Sequence, residues 1–284
     1  MRKAKVYPIL AVLVVAAVAA ATVAVIHARG TAVGKSASTA YAASGKPVAQ
    51  SKPTTAKESA AEKAIRSAAE QKRYVVVTFY KKGDAAGNKM LAVVKSVHSK
   101  LSNRADFVAV DSGNSANQAL VTRYGVDRAP GPLTLVLAPN GAVTAGFPNE
   151  IKTTDFSDVF VSGGEAAVLK ALQSGKLALV CLQNGKTKYN KQSMTAAEGL
   201  KADKTLPGLV GIVKIDPSDR RESSFLQKCK VNAASTNAQV TMIIPPGRIL
   251  GTFDGNTTKD KLMASLQSAL KSCGSGCGPS GCGP

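Results

Sequence analysis

The sequence predicts an α/β protein in which one module, a central mixed sheet flanked by helices, occurs twice behind a membrane-entering N-terminal helix. Three observations predict it. Amphipathic helical stretches alternate with short β-branched apolar runs, landmark residues recur at a nearly constant displacement, and an uncharged run of Val, Ala and Leu follows a basic N-terminus. A chain of 284 residues with 44% hydrophobic content has enough length and apolar surface for two packed cores.

The N-terminal element comes first. Arg2, Lys3 and Lys5 precede the apolar run Ile9 to Ile26, whose 18 residues as a helix span nearly the whole hydrocarbon layer. The basic flank then stays in the cytoplasm and everything after His27 is exported. Residues 1–29 are therefore read as a signal-anchor or transmembrane segment, and small-residue sites such as Ala19-Ala20-Ala21 leave cleavage as the alternative. The chain is expected to be anchored in the inner membrane with its domains periplasmic or extracellular, or secreted if the segment is cut. Residues 30–56 are almost entirely Ala, Ser, Thr, Gly, Pro and Lys, a flexible linker without the apolar surface to order itself.

From Lys57 to Gln71 the composition turns to Ala, Glu, Lys and Arg, predicting a helix with Thr55 as its candidate N-cap, and Tyr74 to Phe79 reads as a buried strand. Met90, Leu91, Val94, Val97 and Leu101 share one side of a helix, and strand character returns from Phe107 to Asp111. A helix over Ser115 to Tyr124 leads to the strand Leu133 to Leu137. Ala138-Pro139-Asn140-Gly141 then turns the chain into Ala142 to Phe147 as a hairpin. The second half repeats this order, with a helix around Glu165 to Gln173, strands Leu177 to Leu182 and Leu209 to Ile215, and a helix from Lys259 to Leu270. Asp111, Tyr124 and Val126 recur as Asp216, Cys229 and Val231 at a displacement of 105, and Gly141 and Phe147 as Gly247 and Phe253 at 106. The seam falls at Val161-Ser162-Gly163-Gly164, giving domains over 57–161 and 162–271 and a tail over 272–284.

The order helix, strand, helix, strand, helix, hairpin, helix resembles the thioredoxin-like superfamily. The residues that carry the likeness are Arg123-Tyr124-Gly125-Val126 and Pro132-Leu133-Thr134-Leu135-Val136-Leu137-Ala138-Pro139-Asn140-Gly141. The resemblance implies a cis peptide bond at Gly131-Pro132, where that family places its cis-proline. It also implies a redox site where the first strand of each module meets the next helix, a place where the helix N-terminus favours a thiolate. This chain has Lys81-Lys82-Gly83-Asp84-Ala85-Ala86-Gly87-Asn88 there in the first half and Gln183-Asn184-Gly185-Lys186-Thr187-Lys188 in the second. Neither stretch contains cysteine, and the second half has Ala238 where the family's proline stands.

Five cysteines in an exported chain cannot all pair with one another. Cys181 in an apolar strand and Cys229 in a helix read as small buried hydrophobes, although sequence alone leaves a disulfide between them open. Cys273, Cys277 and Cys282 lie among Gly, Ser and Pro with no core to fill. Three soft thiolates in so pliable a backbone suit Cu(I) or part of a zinc site, while thiol exchange, cross-linking and a passive tail stay open. Their C-x3-C-x4-C spacing matches no tetrahedral zinc pattern.

Other chemistry lacks the residues it needs. His98 is the one histidine beyond the membrane border and reads as a surface residue; Asp84 and Asp111 read as capping or turn residues; Gly34-Lys35-Ser36 lacks the strand and first glycine of a phosphate loop. The net charge of +19 favours anionic partners such as acidic proteins, lipid headgroups or wall polymers. With no Trp and 5% aromatics, the chain lacks the stacking platforms that nucleic-acid binding uses. The expected function is that of a non-catalytic binding or structural module of the cell envelope, reaching the membrane through its N-terminal helix and an envelope protein or anionic surface through its domains. The alternative is thiol-disulfide exchange or soft-metal transfer by the tail.

Overall fold

The computed structural model describes residues 58–274, with side chains through residue 270. The expected N-terminal helix, the linker, the Thr55 cap and the tail cysteines Cys277 and Cys282 lie outside the described residues. Among the described residues no helix is long and apolar enough to cross a membrane.

Two four-stranded mixed sheets form in succession. The first contains β1 (Tyr74–Tyr80), β2 (Ala105–Asp111), β3 (Leu133–Leu137) and β4 (Val143–Pro148), in the order β2-β1-β3-β4. The second contains β5 (Leu177–Leu182), β6 (Val210–Ile215), β7 (Gln239–Ile244) and β8 (Arg248–Asp254), in the order β6-β5-β7-β8. In each, the first two strands pair in parallel and the rest antiparallel. Even the irregularities recur: the hairpin register slips between Val136 and Leu137 in one sheet and between Met242 and Ile243 in the other.

The central strands β1 and β5 are apolar almost throughout because helices cover both their faces. In the first half α1 (Ala60–Glu70) and the short α3 (Gln118–Arg123) cover Val75, Val77 and Phe79, while α2 (Ala85–Leu101) covers Val76 through Met90, Val94 and Val97. Leu91 and Leu101 lie at the margin of that stripe, half-buried. Helix α1 begins at Ala60, not near Lys57, because Ser59 and Glu62 close a reciprocal capping box there. In the second half α4 (Gly163–Gln173) and α6 (Ser223–Lys228) cover Ala178, Val180 and Leu182, while α5 (Asn190–Lys201) and α7 (Lys259–Gly274) cover Leu177, Leu179 and Cys181.

The repeat breaks most plainly after the first hairpin. Where α7 closes the second half, the first half has no helix; residues 149–162 cross the sheet with one 3-10 turn, Thr153–Phe156. Their Thr, Ser, Asp and β-branched content disfavours a helix. Ile151, Phe156 and Val159 nonetheless fill the space that a terminal helix would occupy, against Val76, Val94 and Val136.

Helix α4 joins the two halves. One side packs on β5 and β6, and the other carries Ala166 against Ala138 and Ala142 of the β3–β4 hairpin. The Gln173 amide pairs with the edge of β4 as another strand would: Val143 N donates to Oε1 at 2.9 Å and Nε2 donates to Val143 O at 2.6 Å. Tyr74 Oη donates to Val161 O, and the Tyr74 and Phe160 rings meet edge-on at 5.1 Å. The Arg104 guanidinium lies 4.5 Å from the Phe160 centroid. Buried Glu222 secures the start of α4 by accepting from Ser162 Oγ (2.5 Å) and Gly164 N (2.9 Å).

Gln173→Ala is expected to lower stability by about 1–2 kcal/mol, because Val143 loses both partners. Urea unfolding measures it, and an unchanged midpoint would show that the side chain does not hold the joint.

Candidate functional site

A strand-to-helix junction stands at the end of β1 and another at the end of β5. At the first, the chain leaves β1 at Tyr80 and turns through Gly83, whose φ of 87° suits glycine. Asp84 then caps α2, accepting from Gly87 N at 2.9 Å and Ala86 N at 3.4 Å. A carboxylate so placed satisfies orphan amides and lies at the positive end of the helix dipole. Gly87 is buried with no room for a side chain: a Cβ there would stand 2.9 Å from Tyr80 Cβ. Asp111, at the end of β2, accepts from Gly113 N (3.0 Å) and Lys82 N (3.4 Å), so it ties two loops together. The capping and turn roles expected of Asp84 and Asp111 are the ones they have. Below the junction, the hydroxyls of Thr78 and Thr134 meet at 3.0 Å, fully buried between paired strands.

The second junction is closed differently. Tyr189 enters α5 with φ 64° and makes no side-chain cap. Instead Thr187 Oγ1 accepts from Asn184 N (2.9 Å) and donates to Asn190 Oδ1 (2.6 Å), and Asn190 Nδ2 donates to Asn184 O (2.7 Å). Asn184 Nδ2 also donates to Asp216 Oδ1 at 2.9 Å. Hydrogen bonds from Ser218 and then Asn184 hold the Asp216 carboxyl below its ordinary range. Lys188 bridges to the segment before β7, its N donating to Thr236 O and its O accepting from Ala238 N, both at 2.8 Å. The sequence marks this loop only as cysteine-free; the interlocked amides emerge from the structure.

The Gly131–Pro132 peptide is trans, contrary to the expectation drawn from the resemblance. The chain enters β3 extended at this point, with Pro132 O accepting from Asn149 N at 2.8 Å and the Asn149 side chain folded over Gly131. The cis bond among the described residues is Pro245–Pro246, in the β7–β8 hairpin.

Cys181 and Cys229 are both buried, as expected, with 1% and 6% of their surface exposed. They lie in different cores on opposite faces of the second sheet, Cys181 under α5 and α7 and Cys229 beside Phe225 and Leu226. Both are free thiols. Burial pushes the Cys181 thiol up to about 12 and the Cys229 thiol up to about 11. Cys229 and Tyr124 each occupy the C-cap of their helix, as the repeat requires. Of the tail cysteines, Cys273 lies at the end of α7. His98 is exposed on α2 with its ring 4.6 Å from that of Phe107. Among the described residues no three His, Cys, Asp or Glu side chains form a group that could hold a metal ion.

In the folded chain Cys181 and Cys229 are expected to resist alkylation at pH 8 and to react once the chain is unfolded, as read by intact mass. Their titration also predicts a pH effect. Unfolded thiols ionise near 9.0, whereas the folded ones keep their protons to about 12 and 11. Stability contributed by the neutral thiols is therefore complete below pH 9 and is lost as pH rises through this window. Cys181→Ala should flatten part of that loss; an alkaline profile identical to the parent's would count against the assignment. Separately, Asp84→Ala is expected to cost about 1 kcal/mol in thermal or urea unfolding through loss of the cap, and an unchanged stability would remove Asp84 from its role.

No protein-family model and no curated protein matches the chain. Among solved structures it is similar to the germline-specific thioredoxin Deadhead from Drosophila melanogaster, at 23% identity over 33% of this chain and 85% of that one, with a TM-score of 0.28. It is also similar to the first two thioredoxin domains of Saccharomyces cerevisiae Eps1p, at 14% identity over 70% of this chain and 94% of that one, TM-score 0.24. Human ERp44 matches at 11% identity over 74% of this chain and 56% of that one, TM-score 0.32. These are likenesses of fold, which fixes no activity. By strand order and connection, the chain carries the thioredoxin-like fold twice.

Proposed function

We propose that the two thioredoxin-like halves form a non-catalytic binding or structural module of the cell envelope. The observation that carries this reading is the chemistry of the two junctions. Asp84 fills one helix terminus with an internal carboxylate, and the Asn184, Thr187 and Asn190 network closes the other. Neither presents a sulfur, and the thiols of Cys181 and Cys229 are buried with their ionisation suppressed. A net charge of +19 supports an anionic partner, either an acidic envelope protein or an anionic surface. The N-terminal apolar segment supplies the membrane attachment in this reading. The thiols of Cys273, Cys277 and Cys282 supply linkage or soft-metal ligation.

The test is a disulfide-reduction assay of the full-length chain beside a variant with Cys273, Cys277 and Cys282 changed to Ser, with metal content and intact mass measured on both. The reading expects no turnover in either protein, and metal or mixed disulfide present only in the parent. Turnover that survives the triple change would overturn the non-catalytic assignment. Turnover lost with it would favour thiol exchange by the tail.

A further inference from the structure

The outer edge of β6 is a backbone surface with a cationic frame. Leu177 N donates to Leu209 O at 2.9 Å and Gln183 N donates to Ile215 O at 3.0 Å, so residues 209, 211, 213 and 215 address β5. In a parallel ladder the intervening residues present their N–H and C=O to the other side, and those residues are Val210, Ile212 and Lys214. Among the described residues no strand pairs with that side. The opposite edge of the first sheet is treated differently, since Gln173 occupies the N–H and C=O of Val143 on β4. Alongside β6 runs a groove of about 300 Å³ whose lining includes Gly211, Ile212, Lys170, Ser174, Lys176 and, from the first half's hairpin, Asn140.

Charge selects the occupant. No Asp or Glu lines the groove. The Lys170 ammonium donates to the Gly141 carbonyl at 3.4 Å, and among the described residues none of Lys170, Lys176 and Lys214 is in an ion pair. Lys214 is exposed and shares its sheet face with Cys181, whereas Lys170 and Lys176 line the groove beside Gly211 and Val213 on the other. An added strand projects alternate side chains to both faces, so both rows meet cations. A second copy docking edge to edge would bring the same lysines together. The chain's own residues 31–57 contain Lys35, Lys46, Lys52 and Lys57 and no carboxylate.

We propose that the β6 edge is a docking site for an extended acidic peptide of a partner protein, added as a fifth strand to the second sheet. Outward amides at Ile212 and Lys214 supply the main-chain pairing, and the lysines select acidic side chains. This rests on the binding-module reading, but its failure is separable from the failure of that reading, because the experiment measures peptide binding and not thiol chemistry.

The test titrates the full-length chain with a fluorescein-labelled octapeptide that carries Glu in both of its side-chain rows, followed by anisotropy and by amide hydrogen exchange. Saturable binding is expected, with exchange slowed at the Ile212 and Lys214 amides. Ile212→Pro removes an outward N–H that the sheet does not use, a substitution that edge strands tolerate. It should weaken binding about tenfold, as should the double change Lys170→Glu and Lys176→Glu, which leaves the backbone intact. Absence of binding, binding by both variants as tight as the parent's, or protection confined to other strands would overturn the proposal. Dimerisation that protects the same amides without peptide would overturn it in favour of a second copy.

Discussion

The structure depends on the double burial of two central strands. Val76 and Val77 in β1, and Ala178 and Leu179 in β5, are sealed from solvent on opposite faces of their sheets. A strand in that position needs cover on both sides, and its backbone needs a partner on each edge. Helix, strand and hairpin are arranged around these requirements, which is why the two halves share strand order, ladder direction and even the position of the hairpin irregularity.

The same requirement explains where the halves differ. The first sheet lacks a terminal helix, yet Val76 and Val136 still need cover, and Ile151, Phe156 and Val159 provide it from an irregular segment. That segment delivers the chain to α4, whose two sides serve different sheets. Because α4 carries both Gln173 on the β4 edge and the apolar residues beneath β5, the halves are coupled through one helix. Its start is held by Glu222, which precedes α6 on the same face of the second sheet.

Much of this was legible in the residues. β5 reads directly from Leu177 to Leu182 because a strand buried on both faces is a continuous apolar run, and α2 reads from Met90, Val94 and Val97 because one helical face meets a core. The equivalence of Tyr124 and Cys229 is visible in the spacing and recurs at two helix ends. Long-range pairings were not legible. Gln173 is an ordinary helix-end glutamine until the β4 edge stands beside it, and Glu222 gives no local sign that it will be buried. Pro132 misleads because the expected cis bond came from a family resemblance, whereas the Gly131–Pro132 peptide is trans here, with the Asn149 side chain over Gly131. Pro245 and Pro246, in a turn with no such expectation attached, hold the cis bond.

At the candidate site, the framework and the chemistry have separated. Strand β1 still delivers the chain to the N-terminus of α2, where backbone amides converge, but the group they meet is the Asp84 carboxylate, and the close approach of Tyr80 leaves Gly87 no space for a side chain. The positive helix terminus is present at this junction, occupied by a carboxylate, while the sulfur and the cis-proline that the resemblance implies are both absent. The direct measurement is the thiol pKa of an Asp84→Cys variant, followed by its ultraviolet thiolate absorbance against pH. A value below that of a free cysteine is predicted, because the helix terminus stabilises a thiolate as it does the carboxylate. A value at or above that of a free cysteine would contradict the claim that this helix terminus stabilises a negative charge.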